Sequence, residues 1–431
     1  MIEVEKLKQK ILDLAIRGKL VPQNQNDEPA SVLIEKIKKE KEQLVKQGKI
    51  KASKNDSYIY KGSDNCYYEN ESRIDFEPPL ETNGNIIWLR GSSFIYKMES
   101  TKPTSSNFEY IDIEAINNKT NTIEKTKLIS SSKAPSRATR KVYSSSTLFS
   151  MVRPYLRNIA YVGDRYKDCI ASTGFYICTP QPFINEKYLY YLLTSDYVVN
   201  SLNNYMKGDN SPSINTGDLE NLLFPIPSLE YQHKAVQLIE IISPIIEKIT
   251  NENDRLTTLI NQTKLRILES IFGENSSYKS YYKNYIPLSD LFESISTVGM
   301  EVKNRDVSKM GKYPVVGQGK ELVDGYHNDD KKIIKDYPVI VFGDHTRIIK
   351  YIDFEFVPGA DGTKILKPKV YPKYLYYCCL YASNKIEDRG YNRHFALLRN
   401  YLVPNIKDLL KQKEIVNKID IIYKQLEIML D

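Results

Sequence analysis

The sequence predicts an α+β protein with a pseudo-two-fold internal repeat, in which two globular domains are separated by long antiparallel coiled-coil helices. The first observation is a pair of similar segments, since Lys187–Leu193 reads KYLYYLL and Lys373–Leu380 reads KYLYYCCL. The second is a later pair of aliphatic segments, in which a shift of 180 residues places Gln232 on Gln412. Two matches in the same order at nearly one spacing indicate a duplicated unit.

The composition is that of a globular protein without a membrane span. A chain of 431 residues suits two or three domains, and 41% hydrophobic with 27% charged residues is ordinary. The net charge of +7 permits a polyanionic partner without requiring one. No run of 18 apolar residues and no signal-peptide pattern occurs, so we expect a cytoplasmic protein.

The residues that usually mark catalytic or metal sites are missing. There is no phosphate-binding loop, no Gly-x-Gly-x-x-Gly and no Gly-x-Ser-x-Gly. The Asn-Pro-Pro-Phe/Tyr tetrapeptide of adenine methyltransferases is absent too, and the nearest string, FEPPL, lacks the Asn. None of the five cysteines lies in a Cys-x-x-Cys motif, and Cys378 and Cys379 occupy the positions of Leu192 and Leu193 in the repeat. We therefore expect buried, unreactive cysteines, no metal site and no catalytic centre.

Two helices are predicted at the N-terminus. The first presents apolar residues at 3-4-3 spacing and ends near Gly18: Val4, Leu7, Ile11, Leu14. The second covers residues 30–47 and ends at Gly48. Its run IEKIKKEKEQLVKQ mixes charges of both signs, which is typical of a solvated helix face.

A third helix is predicted to be much longer. Ser228 can cap it, and positions from Ile239 to Ser270 alternate steps of three and four without a break, as in a coiled coil. From Ser228 to Phe272 the helix would span about 65 Å at about 1.5 Å per residue. Pro244 is expected to kink or interrupt it.

The repeat is cut open inside a helical region. Lys8–Leu14, KQKILDL, matches Lys264–Ser270, KLRILES, at a shift of 256 residues, while nothing follows Asp431 to match that second segment. The N-terminus thus supplies the half of the helical unit that the C-terminus lacks, which predicts that the two termini lie near each other. The predicted segments are a helical region over 1–56, a globular domain over 57–227, the long helix over 228–273, a second globular domain over 274–405 and a last helix over 406–431.

Several segments resemble one protein family. LKQKILDLAIRGKLVPQNQNDEPASVL, from residue 7, resembles the central conserved region of specificity subunits of type I restriction-modification systems. LENLLFPIPSLEYQ resembles the end of their target-recognition domains, with Tyr231 in place of the usual Glu, while the second copy keeps only Pro404 and Gln412. Val341–Leu366 resembles one common type of target-recognition domain. A start inside a helical region fits a circularly permuted member.

The resemblance implies a non-catalytic DNA-recognition subunit. Each globular domain would be a target-recognition domain that reads one half of a split sequence in double-stranded DNA, and the helices would fix the gap. Two methyltransferase subunits would bind the helical regions, Ala15–Leu20 and Ala30–Leu44 being the faces we expect them to use. S-adenosylmethionine and ATP would be bound by partner subunits, restriction or motor subunits among them, in a bacterial or archaeal cytoplasm.

Candidate DNA contacts are basic and polar residues in short loops. In the first domain these are Arg137, Arg140, Lys141, Arg153, Arg157, Lys207, Asn210 and Ser211. In the second domain they are Gln318, His345, Thr346, Arg347, Arg389, Tyr391, Asn392, Arg393 and His394. Arg347 is a candidate for a bidentate guanine contact. His345 is favoured as a contact over a catalytic base, because no partnered nucleophile is visible.

Two other classes of function were weighed against this one. A coiled-coil scaffold or inhibitory protein would use the same helices for assembly and the globular domains for protein contacts, without reading DNA. A free-standing DNA-modifying enzyme is disfavoured by the missing motifs. DNA binding that weakens steeply with added salt would separate a DNA reader from a scaffold.

Overall fold

The computed structural model describes residues 3–22, 29–51, 57–83, 85–360, 362–390 and 392–429. These residues form two compact units, one over residues 2–250 (the N-terminal unit) and one over residues 251–431 (the C-terminal unit). Across the described residues, none of the helices combines the length and the apolar character that crossing a membrane requires.

The helices follow the predicted order. They are α1 (Val4–Ile16), α2 (Ala30–Lys46), α3 (Glu186–Thr194), α4 (Asp196–Asn203), α5 (Thr216–Asn221), α6 (Leu229–Phe272), α7 (Pro372–Lys385), α8 (Phe395–Asn400) and α9 (Leu409–Ile428). The tyrosine-rich segments of the repeat are α3 and α7. Gly18 and Gly48 follow the first two helices with φ of 73° and 69°, left-handed values that glycine adopts at low cost.

The strands of the N-terminal unit are short. They are β1 (Ile59–Lys61), β2 (Tyr67–Glu69), β3 (Ser72–Ile74), β4 (Ile87–Arg90), β5 (Asn107–Ile111), β6 (Ile116–Asn117), β7 (Thr122–Ile123), β8 (Lys127–Ser130), β9 (Ala138–Lys141), β10 (Thr147–Ser150), β11 (Ile159–Tyr161), β12 (Ile170–Ser172), β13 (Phe175–Cys178) and β14 (Leu223–Ile226). They form sheets in the orders β14-β4-β1-β2-β3, β11-β10-β13, β8-β5-β12-β9 and β6-β7.

The C-terminal unit repeats part of this arrangement. Its strands are β15 (Tyr285–Pro287), β16 (Phe292–Ile295), β17 (Tyr313–Val316), β18 (Gly325–His327), β19 (Val339–Gly343), β20 (Ile349–Ile352), β21 (Val357–Pro358), β22 (Thr363–Pro368) and β23 (Leu402–Pro404). Its sheets are β16-β22-β19-β20, β18-β17-β21 and β15-β23. The order β22-β19-β20 matches β13-β10-β11, and β15 pairs with β23 as β4 pairs with β14, all antiparallel.

Each unit packs three helical segments into its core at positions related by the repeat. In the N-terminal unit one buried residue from each of α1, α3 and α6 joins the main cluster: Leu12, Leu189, Ala235. In the C-terminal unit the corresponding positions of α6, α7 and α9 do the same: Leu268, Leu375, Ile415. The buried face predicted for the first tyrosine-rich helix is confirmed, since Tyr188, Leu189, Leu192 and Leu193 are at most 1% exposed.

Helices α1 and α6 differ in detail from their sequence patterns. The fully buried residues of α1 are Leu12, Ala15 and Ile16; of the predicted stripe, Ile11 packs against the core and Leu7 is 39% exposed. Pro244 does not interrupt α6, which continues through it. Helix α6 is capped as predicted by Ser228, whose Oγ accepts a hydrogen bond from Tyr231 N.

The predicted seam of α6 holds only in part. Ile239 and Ile260 are buried, but Thr263 and Ser270 are exposed. Near the end of the helix the buried positions are Leu268 and Ile271, which pack into the core of the C-terminal unit. At the end of α6, therefore, packing against this core determines which residues are buried, and these are not the residues of the predicted heptad seam.

The faces expected to bind methyltransferase subunits are occupied by the chain itself. Ala15, Ile16, Leu33 and Ile37 are at most 4% exposed and belong to the core of the N-terminal unit. That expectation is therefore corrected, because these side chains are not free for a partner. Exposed apolar residues of α6 include Ile241 and Ile245, at 66% and 56%.

Candidate nucleic-acid interface

Two candidate loops of the C-terminal unit are clasped together. One follows β19 (residues 343–347), and the other precedes α8 (389–394). Asp344 Oδ1 accepts hydrogen bonds from His394 N at 2.8 Å and from Phe395 N at 2.7 Å. His394 Nε2 accepts from Arg389 N at 3.0 Å, so the neutral ring carries its proton on Nδ1, which lies 2.9 Å from Asp344 O.

The two residues that join these loops, Asp344 and His394, are both buried. Asp344 is 2% exposed and His394 is fully buried. Sequence analysis missed Asp344 and predicted His394 as a DNA contact, but the structure makes His394 an anchor between the two loops. A buried carboxylate is tolerated here because two backbone N–H groups at the start of α8 donate to it.

A third loop joins them. Gln318 Oε1 accepts a hydrogen bond from His345 N at 3.2 Å, and Thr346 Oγ1 donates to Gln318 O at 2.7 Å. A Cβ on Gly343 would lie 2.2 Å from Thr346 Oγ1 and 2.9 Å from Gln318 Cβ, so only glycine allows this approach. The predicted residues Gln318, His345 and Thr346 are thus brought together.

Arg347 is engaged inside the protein. Its Nη2 donates to Asp388 Oδ2 at 2.6 Å and its Nη1 donates to Ile386 O at 3.3 Å, just beyond the end of α7. Its backbone is left-handed, with φ of 60°. The guanidinium predicted to contact a guanine edge therefore holds the β19–β20 hairpin against the end of α7.

Arg157 makes the same arrangement in the N-terminal unit. Its Nη1 donates to Thr194 O at 2.7 Å, its Nη2 pairs with Asp196, and its φ is 54°. Thr194 is the last residue of α3. Both arginines, predicted as DNA contacts, thus bind a carbonyl at the end of a tyrosine-rich helix and the aspartate two residues later.

A sequence signal for this arrangement existed and was missed. Residues 157–161 read RNIAY and residues 347–351 read RIIKY, so Arg-x-Ile-x-Tyr recurs at a shift of 190. The tyrosines pack alike as well. Tyr161 lies edge-on to Tyr190 with ring centroids 6.1 Å apart, and Tyr351 lies edge-on to Tyr376 at 6.0 Å.

The loops of the N-terminal unit also meet in a pair. Arg153 N donates to Pro212 O at 2.8 Å, and its Nη2 donates to Asn210 O at 2.6 Å. The backbone of Lys207 pairs with that of Ser213. The predicted residues Arg153, Lys207, Asn210 and Ser211 therefore form one polar surface, on which the last three are exposed.

The three basic residues of β9 and its preceding turn are separated. Arg137 is exposed, and its carbonyl accepts a hydrogen bond from Thr173 N. The carbonyl of the next residue, Gly174, accepts a hydrogen bond from Met151 N. Arg137 thus lies beside the turn between β12 and β13, which in turn contacts the start of the residue 151–157 loop. Arg140 is half-buried and its backbone bridges to Ser100.

Lys141 lies at the opposite end of β9. It pairs with Glu99 at 3.1 Å and stacks on Tyr143 at 4.8 Å. Hydrogen bonds from Tyr143 and Lys141 hold the pKa of the Glu99 carboxyl below its usual range. Lys141 is therefore not grouped with the other candidates of its domain.

The remaining candidates lie near the clasped loops of the C-terminal unit. Arg393 and Asn392 are exposed, and Arg389 Nε donates to Glu387. Tyr391 lies outside the described residues. Within the described part of the chain no group of three His, Cys, Asp or Glu side chains could hold a metal ion.

Four of the five cysteines behave as small apolar side chains, whereas Cys66 is only half-buried. Cys169, Cys178, Cys378 and Cys379 are buried free thiols, which confirms the prediction for the adjacent pair in α7. Burial raises the pKa of Cys169 to about 12, which suppresses the reactive thiolate.

Comparison with known proteins identifies related chains. Residues 66–261 match the model of the type I restriction modification DNA specificity domain. The chain is 63% identical over 51 residues to the type I restriction enzyme EcoAI specificity subunit of Escherichia coli, a match that covers 12% of this chain and 9% of that one. It is 26% identical over 183 residues to the HindI specificity subunit of Haemophilus influenzae, covering 41% and 36%.

A solved structure shares the fold. It concerns the complex assembly and conformational transition of the type I R-M system, with a TM-score of 0.57, 22% identity, and coverage of 80% of this chain and 91% of that chain. The matches span well under two thirds of the two curated relatives.

Proposed function

Since the chain belongs to the family of specificity subunits of type I restriction-modification systems, we propose that it reads a bipartite sequence in double-stranded DNA. The observation that carries the proposal is a strand hairpin that occurs once in each unit, as β10–β11 and as β19–β20. In both units a strand hairpin carries an Arg-x-Ile-x-Tyr segment, and its arginine fixes the polar loop against a tyrosine-rich helix. One scaffold thus presents two different loop sets, as two half-sites require.

The loop chemistry suits DNA. In the N-terminal unit, Arg137 and Lys207 supply cations for phosphates, and Asn210 supplies an amide for a base edge. In the C-terminal unit, Arg393 and Asn392 supply the same groups beside His345. Because the two loop sets differ in sequence, each unit should read a different half-site.

In this proposal, partner subunits carry out methyl transfer and ATP hydrolysis. Two methyltransferase subunits bind the helical regions, for which Ile241 and Ile245 on α6 offer exposed apolar side chains. They bind S-adenosylmethionine and methylate adenine N6, and ATP is used by restriction or motor subunits where present. The chain itself acts in the cytoplasm as a non-catalytic recognition subunit, in a circularly permuted arrangement.

The test is to map methylated adenines in the native genome with and without this gene. The proposal predicts a two-part methylated motif with a fixed gap that disappears when the gene is deleted and returns on complementation. An unchanged methylation pattern after deletion would contradict the proposal and favour a protein scaffold.

A further inference from the structure

A large lysine-lined groove lies in the N-terminal unit, and Lys141 is the one predicted DNA contact among its lining residues. It has a volume of about 1400 Å³, above the roughly 300–1000 Å³ of small-molecule sites. Seven lysines and two glutamates line it. They come from the C-terminal half of α2, the residues after it, the segment around residue 97 and the end of β9. This size suits a segment of a macromolecule.

The groove combines exposed positive charge with partly exposed apolar side chains. Lys46, Lys49 and Lys97 are exposed, and the lining residues Val45 and Ile50 are half-buried. Lys141 is offset by Glu99, so the positive excess comes mainly from the α2 side and from Lys97. A ligand that fills the groove therefore needs both carboxylates or phosphates and apolar groups.

The groove and the predicted DNA-contact loops lie at opposite ends of β9 and β13. Strand β13 begins beside the residue 151–157 loop, where Phe175 pairs with Ser150, and runs toward Thr179, which lines the groove. Four residues of extended chain separate these ends by about 13 Å. Strand β9 repeats the division, since Arg137 is at the reading end and Lys141 is in the groove. DNA held by the loops would leave the groove open.

We propose that this groove docks an extended acidic segment of a partner protein, with its carboxylates beside the exposed lysines and its apolar side chains against Val45 and Ile50. Duplex DNA fits less well, because its sugar-phosphate backbone has no apolar side chains to place against Val45 and Ile50. This assigns a protein-binding site beyond DNA reading and does not depend on it.

The test uses the full chain and three fluorescent probes. The first probe is a 12-residue peptide of alternating Glu and Leu, the second replaces each Leu with Ser, and the third is a 12-base-pair duplex. Fluorescence anisotropy is measured for the wild type and for the triple variant Lys46→Glu, Lys49→Glu and Lys97→Glu. These side chains are exposed, so the fold should persist. A matched control reverses three exposed lysines of the other unit: Lys303, Lys309, Lys335.

The proposal predicts that the Glu-Leu peptide binds the wild type and the control, and that the groove variant binds it at least about tenfold more weakly. The Glu-Ser peptide should bind less tightly than the Glu-Leu peptide, and duplex binding should be unchanged in the groove variant. No binding of the Glu-Leu peptide to the wild type, or equal binding by the groove variant, would overturn the proposal. Loss of duplex binding in that variant would instead make the groove a nucleic-acid site.

Discussion

The side-chain oxygen of Gln232 accepts a hydrogen bond from Asn185 N at 2.8 Å, and the amide nitrogen of Gln232 donates to Pro227 O at 3.0 Å. Gln412 makes the same pair of bonds in the other unit, to Tyr371 N at 2.8 Å and to Ile406 O at 2.7 Å. Each glutamine is buried and ties the start of a tyrosine-rich helix to the segment that enters the next helix. This shared requirement explains why Gln recurs at a shift of 180.

Replacing Gln412 by Glu should destabilise the C-terminal unit by roughly 1–3 kcal/mol, because a buried carboxylate can accept from Tyr371 N but cannot donate to Ile406 O. Gln425→Glu, at an exposed position of the same helix, is the control and should change stability by less than about 0.5 kcal/mol. Urea unfolding of both variants provides the measurement. Equal midpoints for the two would show that the buried pair contributes nothing.

Arg347 and Asp388 should act as one unit in DNA reading. If Arg347 positions the hairpin through Asp388, then Asp388→Ala should lower affinity for the second half-site about as much as Arg347→Ala, and the double variant should lose little more. The ion pair is partly exposed, so unfolding free energy should fall by no more than about 1 kcal/mol.

Binding to duplexes altered in one half-site at a time gives the measurement, with the exposed Asp353→Ala as control. If Arg347 instead contacts a guanine directly, the two variants should behave differently. Asp388→Ala would then leave affinity for the second half-site intact while Arg347→Ala abolished selectivity there.

Arg137→Ala should weaken binding to all DNA sequences alike. Arg137 is exposed just before β9 and beside the turn that contacts the residue 151–157 loop, so we expect it to neutralise a phosphate, and its loss should reduce the slope of log affinity against log salt by about 1. Lys127→Ala is the control, because Asp112 and Glu114 already offset that charge. A loss confined to one half-site would assign Arg137 to a base edge.

The N-terminal unit should lose stability at alkaline pH partly through Tyr191. Burial, and next the nearby Glu240 charge, raise the pKa of Tyr191 to about 12 from its ordinary value of 10.0. Its contribution is therefore complete below pH 10 and is lost as pH rises toward 12, because the unfolded chain releases this proton first. Tyr191→Phe should flatten the fall in melting temperature between pH 10 and 12, whereas Tyr205→Phe, at an exposed position, should not. Parallel curves for Tyr191→Phe and the wild type would contradict this assignment.

The local sequence pattern predicted where the helices lie better than it predicted which residues pack against them. The buried face of the KYLYY helix, the cap at Ser228 and the end of α2 near Gly48 follow from periodicity and capping, which depend on adjacent residues. Which residues of α1 are fully buried could not be read from its apolar stripe, because burial depends on residues far along the chain. Of the two outcomes expected at Pro244, a kink or an interruption, the structure excludes the interruption.

The candidate loops were located from sequence, but the bonds that hold them were not. Loops 343–347 and 389–394 do meet, yet the residue that joins them, Asp344, carries no sequence mark of that role. Asp196 and Asp388 follow helices of different length, so no fixed spacing relates them to Arg157 and Arg347. The Arg-x-Ile-x-Tyr repeat was the one available signal.

The central proposal is that the chain reads two half-sites and that the length of α6 sets the gap between them, and a heptad inserted into α6 between Asn253 and Ile260 tests it most directly. Seven residues keep the coiled-coil phase and add about 10 Å, or about three base pairs. Methylated adenines are then mapped in cells that carry the insertion. We expect both half-sequences to be unchanged and the gap between them to lengthen, whereas an active variant that still methylates at the original gap would contradict the account.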